Sequence, residues 1–312
     1  MRIAIIGTGG VGGFFGARLA QRGHDVTFVA RGRHLDAIRR DGLRIDSETT
    51  PIHIRDARVT DDVQSIGPVD VAMLCVKLWD VEPIVPSLRP LIANGGVVIP
   101  FQNGIDAPAI VSRGLSPDAL IGGVAYIATS IGSPGVIRHV GTMARMSVGA
   151  FDGRKADAAA SFADAARGSG IEIALAADIR RAIWEKFVFL SALAGATAIT
   201  RQPIGVIRAD AAMRAMFESI MRETWSVGRA SDVALPDDFV ATRLAFADTL
   251  PYEMKASMLH DLEVGHRLEA PWLCGAVARL GGELGVATPV NETIYAALKP
   301  YVAGAAAMAK TS

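Results

Sequence analysis

Residues 1–16 read MRIAIIGTGGVGGFFG. The apolar run Ile3 to Ile6 has strand character, and a helical pattern from Gly10 to Arg22 follows it. Between them Gly7, Gly9 and Gly12 supply G-x-G-x-x-G, with Gly16 four residues further on. An isolated match of this kind says little. Here it occupies the strand–turn–helix setting that opens a βαβ unit, which gives it weight. Gly7 permits the tight turn, Gly9 lets a pyrophosphate approach the backbone, and Gly12 lets the helix pack close to the strand. Thr8, Gly10 and Val11 complete the loop, whose helix N-terminal amides face the phosphates. The alternative is a glycine-rich turn without a ligand.

The second strand, Val26 to Val29, bears on which dinucleotide is held. NAD-binding versions end this strand with Asp or Glu, which accepts from the ribose hydroxyls. Here Ala30 and Arg31 follow Val29, and Arg33 lies nearby. A guanidinium suits the extra 2′-phosphate of NADP(H) through charge-assisted bonds, although Arg31 as a solvated loop cation stays open. Lys77 and Asn103 follow the apolar runs Val69 to Val76 and Val97 to Pro100. Ligands bind beyond the carboxyl ends of such strands, so both are expected near the cofactor, against the plainer readings of a surface lysine and an Asn-Gly turn.

The remaining chain fits this frame. Short apolar runs alternate with helical stretches (His34 to Arg40, Val81 to Leu88), the pattern of a parallel sheet with crossover helices. Strand-like pieces at Ile121 to Ile127, Gly135 to Val140 and Ala144 to Val148 predict antiparallel hairpins extending the sheet. A helix from Lys155 to Arg167 and a strand from Glu172 to Leu175 complete residues 1–177. After Asp178, a helix N-cap, only helical segments follow, at about 179–199, 210–231, 236–249, 256–285 with interruptions, and 289–307. The expected architecture is therefore α/β: a Rossmann-type dinucleotide-binding domain with an antiparallel extension over 1–177, then an all-α substrate and catalytic domain over 178–312.

Composition narrows the partners. The chain has 312 residues, half of them hydrophobic, with 32 Lys+Arg against 32 Asp+Glu. This balance offers no basic footprint for nucleic acid and no polybasic membrane patch. Cys75 and Cys274 form no CxxC pair and read as free thiols in a reducing compartment. The N-terminus reaches Gly7 too soon for a signal peptide, and the uncharged stretch Phe187 to Ile199 is short of the roughly 20 residues of a membrane span. A soluble, cytoplasmic protein is expected, with the apolar C-terminal helices able to form a homodimer. The six histidines show no metal-ligand spacing, so no metal is expected, and no G-x-S-x-G elbow occurs.

One lysine stands out in the second half. From Phe187 onward the helix containing Trp184-Glu185-Lys186 is apolar nearly all round, as expected of a helix at the centre of its domain. Lys186 shares a face with Ile183, Leu190 and Ala194. It must either snorkel to water or face an internal cleft. In a cleft it can protonate a carbonyl oxygen as hydride arrives at carbon, provided burial lowers its pKa.

These residues together resemble the ketopantoate reductase (2-dehydropantoate 2-reductase) family over nearly the whole chain. The matching motifs are the Gly7–Gly16 fingerprint, Arg31, Val76-Lys77-Leu78-Trp79, Gln102-Asn103-Gly104, Trp184-Glu185-Lys186, Ser257-Met258-Leu259-His260-Asp261 and Leu268-Glu269-Ala270-Pro271. The resemblance implies NADPH-dependent reduction of a 2-oxo acid to a D-2-hydroxy acid, with 2-dehydropantoate to (R)-pantoate, a step of pantothenate biosynthesis, as the family reaction. It implies that Lys186 is the general acid and that Glu269 organises substrate and lysine. Asn103 would touch cofactor or substrate, and Ser257 would bind the substrate carboxylate.

The chain also departs from that pattern. Leu190 and Ala194 stand where the family usually has asparagine, Pro271 and Cys274 replace an Asp-x-x-Asn pair, and Met254 replaces another substrate-side asparagine. Losing two or three hydrogen bonds of about 0.5–1.5 kcal/mol lowers affinity for ketopantoate by about 10 to 1,000-fold. A more apolar 2-oxo acid is the alternative substrate. Two rivals remain: a 6-phosphogluconate or β-hydroxyacid dehydrogenase-like protein, which would lack the Ser257/Glu269 pairing, and a non-catalytic NADP-binding sensor or scaffold, against which Lys186 and Glu269 both argue.

Overall fold

The computed structural model describes residues 1–305. Chain contacts divide it into two compact units, one of Met1–Gln102 with Ala107–Ala182, the other of Asn103–Asp106 with the residues from Ile183 onward.

The first unit opens with β1 (Arg2–Ile6), α1 (Gly10–Gln21), β2 (Asp25–Val29) and α2 (Gly32–Asp41), close to the predicted limits. Three short strands then follow that hydrophobic runs did not reveal: β3 (Leu43–Ser47), β4 (Ile52–Ile54) and β5 (Arg58–Thr60). Next come β6 (Val71–Leu74), α3 (Val81–Leu88), β7 (Val97–Pro100) and α4 (Ala107–Gly114). The main sheet is wholly parallel in the order β5-β2-β1-β6-β7. The chain runs outward from β1 through β2 to β5, then returns to the other side of β1. Strand order thus reverses beside β1, and a ligand crevice belongs at the carboxyl ends there.

The antiparallel hairpin is present as β8 (Ile121–Ser133) and β9 (Val136–Ala150). It does not simply lengthen the parallel sheet, to which one bridge joins it, Val98 to Leu120. It builds a second sheet instead. β8 takes one edge of β9, while β3 pairs with Val136–His139 and, after α5 (Ala156–Ala166), β10 (Glu172–Leu175) pairs with Arg145–Val148. The unpredicted β3 supplies the pairing edge that draws the hairpin away, with Leu43, Ile45 and Ser47 buried on one face.

Helix α1 lies between the two sheets, which explains its burial from Gly12 to Leu19. A Cβ on Gly16 would sit 2.6 Å from Phe28 and 2.8 Å from Ile5, in the first sheet. A Cβ on Gly13 would sit 2.7 Å from Ile137, in the second. The glycine content of this helix therefore serves two contacts as well as the loop before it. Phe14 and Phe15 on the same helix are both fully buried.

The second unit is all helix: α6 (Ile179–Thr200, whose first turn belongs with the first unit), α7 (Ile204–Ala209), α8 (Ala211–Ala230), α9 (Phe239–Thr249), α10 (Ser257–Glu263), α11 (Cys274–Leu284) and α12 (Pro289–Leu298). The helix expected over 289–307 stops at Leu298 because Pro300 opens a 3-10 turn, and residues 306–307 of that expectation lie outside the described residues. Length and composition alone would let α6 cross a membrane, at a mean hydropathy of 1.4. It is a core helix, with 61% of that window buried and Phe187, Val188, Ala192, Ala194 and Ala196 in the helical core. Ser191 satisfies its hydroxyl there on Thr224, 3.1 Å away on α8.

Candidate functional site

In the first unit the glycine loop has the form a dinucleotide phosphate requires. Gly7 turns the chain at φ +103°, a conformation that favours glycine. A Cβ on Gly12 would press on the Gly7 carbonyl oxygen and lie 2.8 Å from Ile5 and 2.9 Å from Cys75, so only glycine lets α1 start this close to β1. Around Gly9, the N-cap, no atom lies within 4 Å of the Cβ position, and no side chain caps the helix. The first-turn amides have no helical acceptor, so an anion can be received on this open face. Thr8 is buried, and both its N–H and its Oγ1 donate to the Val29 carbonyl oxygen at 2.9 Å. The residues present therefore fit the phosphates of a dinucleotide.

A Gly12→Ala substitution should destabilise the protein by about 1–3 kcal/mol through overpacking. A lowered thermal midpoint checks this; an unchanged one rejects the close-packing account.

Arg31 is the exposed N-cap of α2, directly beyond β2, with Arg33 exposed two residues later. Lys77 is also exposed beyond β6, its Nζ 5.6 Å from the centre of the Trp79 ring. Gln102 ties two strand ends together: its Nε2 donates to the Leu74 and Val76 carbonyls at 2.9 and 3.0 Å. The thiol of Cys75 lies under the loop, and burial pushes it up to about 12, so it acts as a packing group.

The second unit holds a compact ionic cluster. Lys186 Nζ donates to Asn103 Oδ1 at 3.0 Å, although 83 residues separate them. Glu269 is buried at 5% exposure, immediately before the 3-10 turn Ala270–Trp272. Burial pushes the part-buried Lys186 ammonium down to about 8, while the negative charge of Glu269 opposes that shift.

Three anchors explain how Asn103 reaches this cluster. Gly104, at φ +89°, brings its Cβ position within 2.8 Å of the Trp272 carbonyl oxygen. Ile105 packs on the helical core, and Asp106 pairs with Arg279 of α11 at 2.7 Å. This short strap thus belongs with the helices, while Gln102 just before it belongs with the sheet.

Ser257 is placed differently. It is exposed at the first position of α10, and among the described residues its side chain makes no hydrogen bond. Leu190 and Met254 pack against the helical core, and Ala194 and Cys274 lie within it. The Cys274 Sγ donates to the Ala270 carbonyl at 3.5 Å, and burial raises this thiol to about 12.

Comparison with known proteins identifies the family. The family model described as ketopantoate reductase PanE/ApbA matches residues 3–153, and its C-terminal counterpart matches 178–302. The 2-dehydropantoate 2-reductase of Mesorhizobium japonicum is 30% identical over 322 residues, covering 96% of this chain and 97% of its own. A Bacillus subtilis (strain 168) protein described as "Uncharacterized oxidoreductase YkpB" is 30% identical over 307 residues, covering 97% and 99%. The crystal structure of 2-dehydropantoate 2-reductase from Geobacter metallireducens GS-15 superposes with a TM-score of 0.90 at 30% identity, covering 96% of this chain and 99% of that one. With both family models matched in order along nearly its whole length, the chain belongs to the ketopantoate reductase family and is an oxidoreductase of 2-oxo acids.

Proposed function

We propose that the protein reduces a 2-oxo acid with NADPH, that 2-dehydropantoate, giving (R)-pantoate, is its substrate, and that Lys186 is the general acid. The observation that carries this reading is the Lys186 ammonium, bonded to Asn103, charge-coupled to Glu269 and pushed down to about 8. When bound, the reduced dinucleotide supplies the hydride for the carbonyl carbon. Lys186 gives a proton from Nζ to the carbonyl oxygen, so C=O becomes CH–OH and the lysine is left neutral until solvent reprotonates it. Asn103 fixes the direction of the ammonium through its Oδ1. Glu269 favours the charged form that burial opposes, which keeps the proton available near neutral pH. Gly7 to Gly12 receive the phosphates, Arg31 pairs with the 2′-phosphate, and Lys77 adds a cation beyond the next strand. Ser257, exposed on α10, is assigned to the substrate carboxylate. The two free cysteines support a cytoplasmic setting.

Loss of NADPH absorbance tests the reaction across ketopantoate, 2-oxoisovalerate, phenylpyruvate, benzoylformate and oxaloacetate. Turnover of ketopantoate supports the first reading. Preference for phenylpyruvate or benzoylformate supports a more apolar substrate, the second reading, which Leu190 and Met254 favour by packing apolar atoms at positions that are polar in the family pattern. No turnover by any of them, with NADPH still bound, sinks the enzymatic reading and leaves a dinucleotide-binding sensor.

A further inference from the structure

His34 lies in the first turn of α2, three residues after Arg31. Its Nε2 is 2.8 Å from the Thr8 carbonyl oxygen, and its Nδ1 accepts from the Gly135 N–H at 3.0 Å. A carbonyl oxygen can only accept and a backbone N–H can only donate. The two contacts therefore require one tautomer, with the proton on Nε2 and the lone pair on Nδ1. Burial of the half-buried ring lowers its pKa, with the Thr8 bond opposing, and so favours this neutral form.

Three segments meet on this ring: the glycine loop through Thr8, α2 through its own backbone, and the turn between β8 and β9 through Gly135. The turn also packs on α2, since a Cβ on Gly135 would lie 3.1 Å from Ala37. Thr8 is clamped from its other side by the two bonds to Val29. Among the described residues the Arg31 side chain makes no hydrogen bond or ion pair, and its backbone is extended at φ −137° and ψ 157°. Contacts of its own do not aim it. The start of α2 does, and His34 ties that start to the loop from within the helix, in addition to the bonds from Thr8 to Val29 ahead of Arg31.

We infer that His34 is a positioning residue that fixes Arg31 against the phosphate-binding loop and thereby sets the preference for a dinucleotide bearing a 2′-phosphate. This rests on the dinucleotide reading above. The bond to Thr8 carries the effect, because it joins the two parts that must hold one ligand; the bond to Gly135 orients the ring.

Three variants separate the two bonds. His34→Ala removes both, His34→Gln places an amide N–H where Nε2 donates to Thr8, and His34→Asn places an oxygen where Nδ1 accepts from Gly135. His34→Ala and His34→Asn should raise KM for NADPH about 3–10-fold, while KM for NADH and kcat at saturation stay within about twofold. His34→Gln should restore the NADPH value, and NADPH fluorescence titration should follow the same order.

Equal loss of affinity for NADPH and NADH, in step with a lower thermal midpoint, would show a merely structural role and overturn the inference. So would rescue by Asn but not Gln, or no change in any variant. A wild-type protein that binds neither dinucleotide overturns the dinucleotide reading and this one with it. A wild type that prefers NADPH, with the same preference in every His34 variant, overturns this one alone.

Discussion

Lys186→Ala should lower kcat for reduction by about 10²–10⁴-fold, the contribution usual for a positioned general acid. Alanine leaves no group to protonate the oxygen, and Asn103 and Glu269 lose the cation they face. Affinity for NADPH, measured by fluorescence titration, should change far less, because the residues proposed to bind its phosphates belong to the sheet-containing unit. A kcat within a few-fold of wild type would remove Lys186 from the chemistry.

The pH profile gives an independent reading of the same group. On the proposed mechanism reduction needs the protonated amine, so kcat should fall about tenfold per unit as pH rises beyond about 8. That limb should be absent in Lys186→Ala. The linkage to stability has the matching sign. Folding lowers the pKa from 10.5 to about 8, so the unfolded chain binds more protons between these values. The cost of burying the ammonium is present in full below about pH 8 and is relieved as pH rises towards 10.5. Activity and this component of stability should therefore move in opposite directions through that window.

Arg31→Asp should lower the kcat/KM ratio of NADPH over NADH by about 10²-fold. A charge-assisted hydrogen bond contributes about 1.5–3 kcal/mol, or roughly 10–150-fold, and the carboxylate adds repulsion against the 2′-phosphate. Asp at the end of this strand can also accept from the ribose hydroxyls of NADH, so the change acts on both terms of the ratio. Arg33, exposed nearby, can retain part of the phosphate attraction, and Arg31→Asp combined with Arg33→Ala should exceed the single change. An unaltered ratio in the double variant would remove α2's first residues from cofactor selection. Kinetics with both dinucleotides at a common substrate concentration decide it.

The local elements of chemistry were legible in the sequence because each is set by near neighbours. Gly7, Gly9 and Gly12 are spaced for one turn and one helix start, and the apolar run before them has room for one strand. Lys186 stood out because a charge on a helix that is apolar all round must have a reason to be there. Pro203, Pro236, Pro251, Pro271 and Pro289 separate or open the helices of the second half, whereas the end of α12 at Leu298, before Pro300, lies well short of the helix expected to 307.

What the tertiary structure alone decided is which distant segments share a surface. β4 and β5 have only three residues each, and β3 (LRIDS) alternates apolar with polar residues instead of forming an apolar run, so the second sheet and the destination of the β8–β9 hairpin were hidden. Asn103 follows a strand of the parallel sheet and falls within the 1–177 expected for the first domain, yet Gly104, Ile105 and Asp106 fasten it to the helices beside Lys186. His34 carries no motif at all; its place between Thr8 and Gly135 exists only once two strands and a hairpin turn converge. Sequence determined which groups could turn the chain, bind an anion or carry a proton, since those are properties of residue type and short spacing. Proximity across 83 residues depends on packing the whole chain, and that brought Lys186 to Asn103.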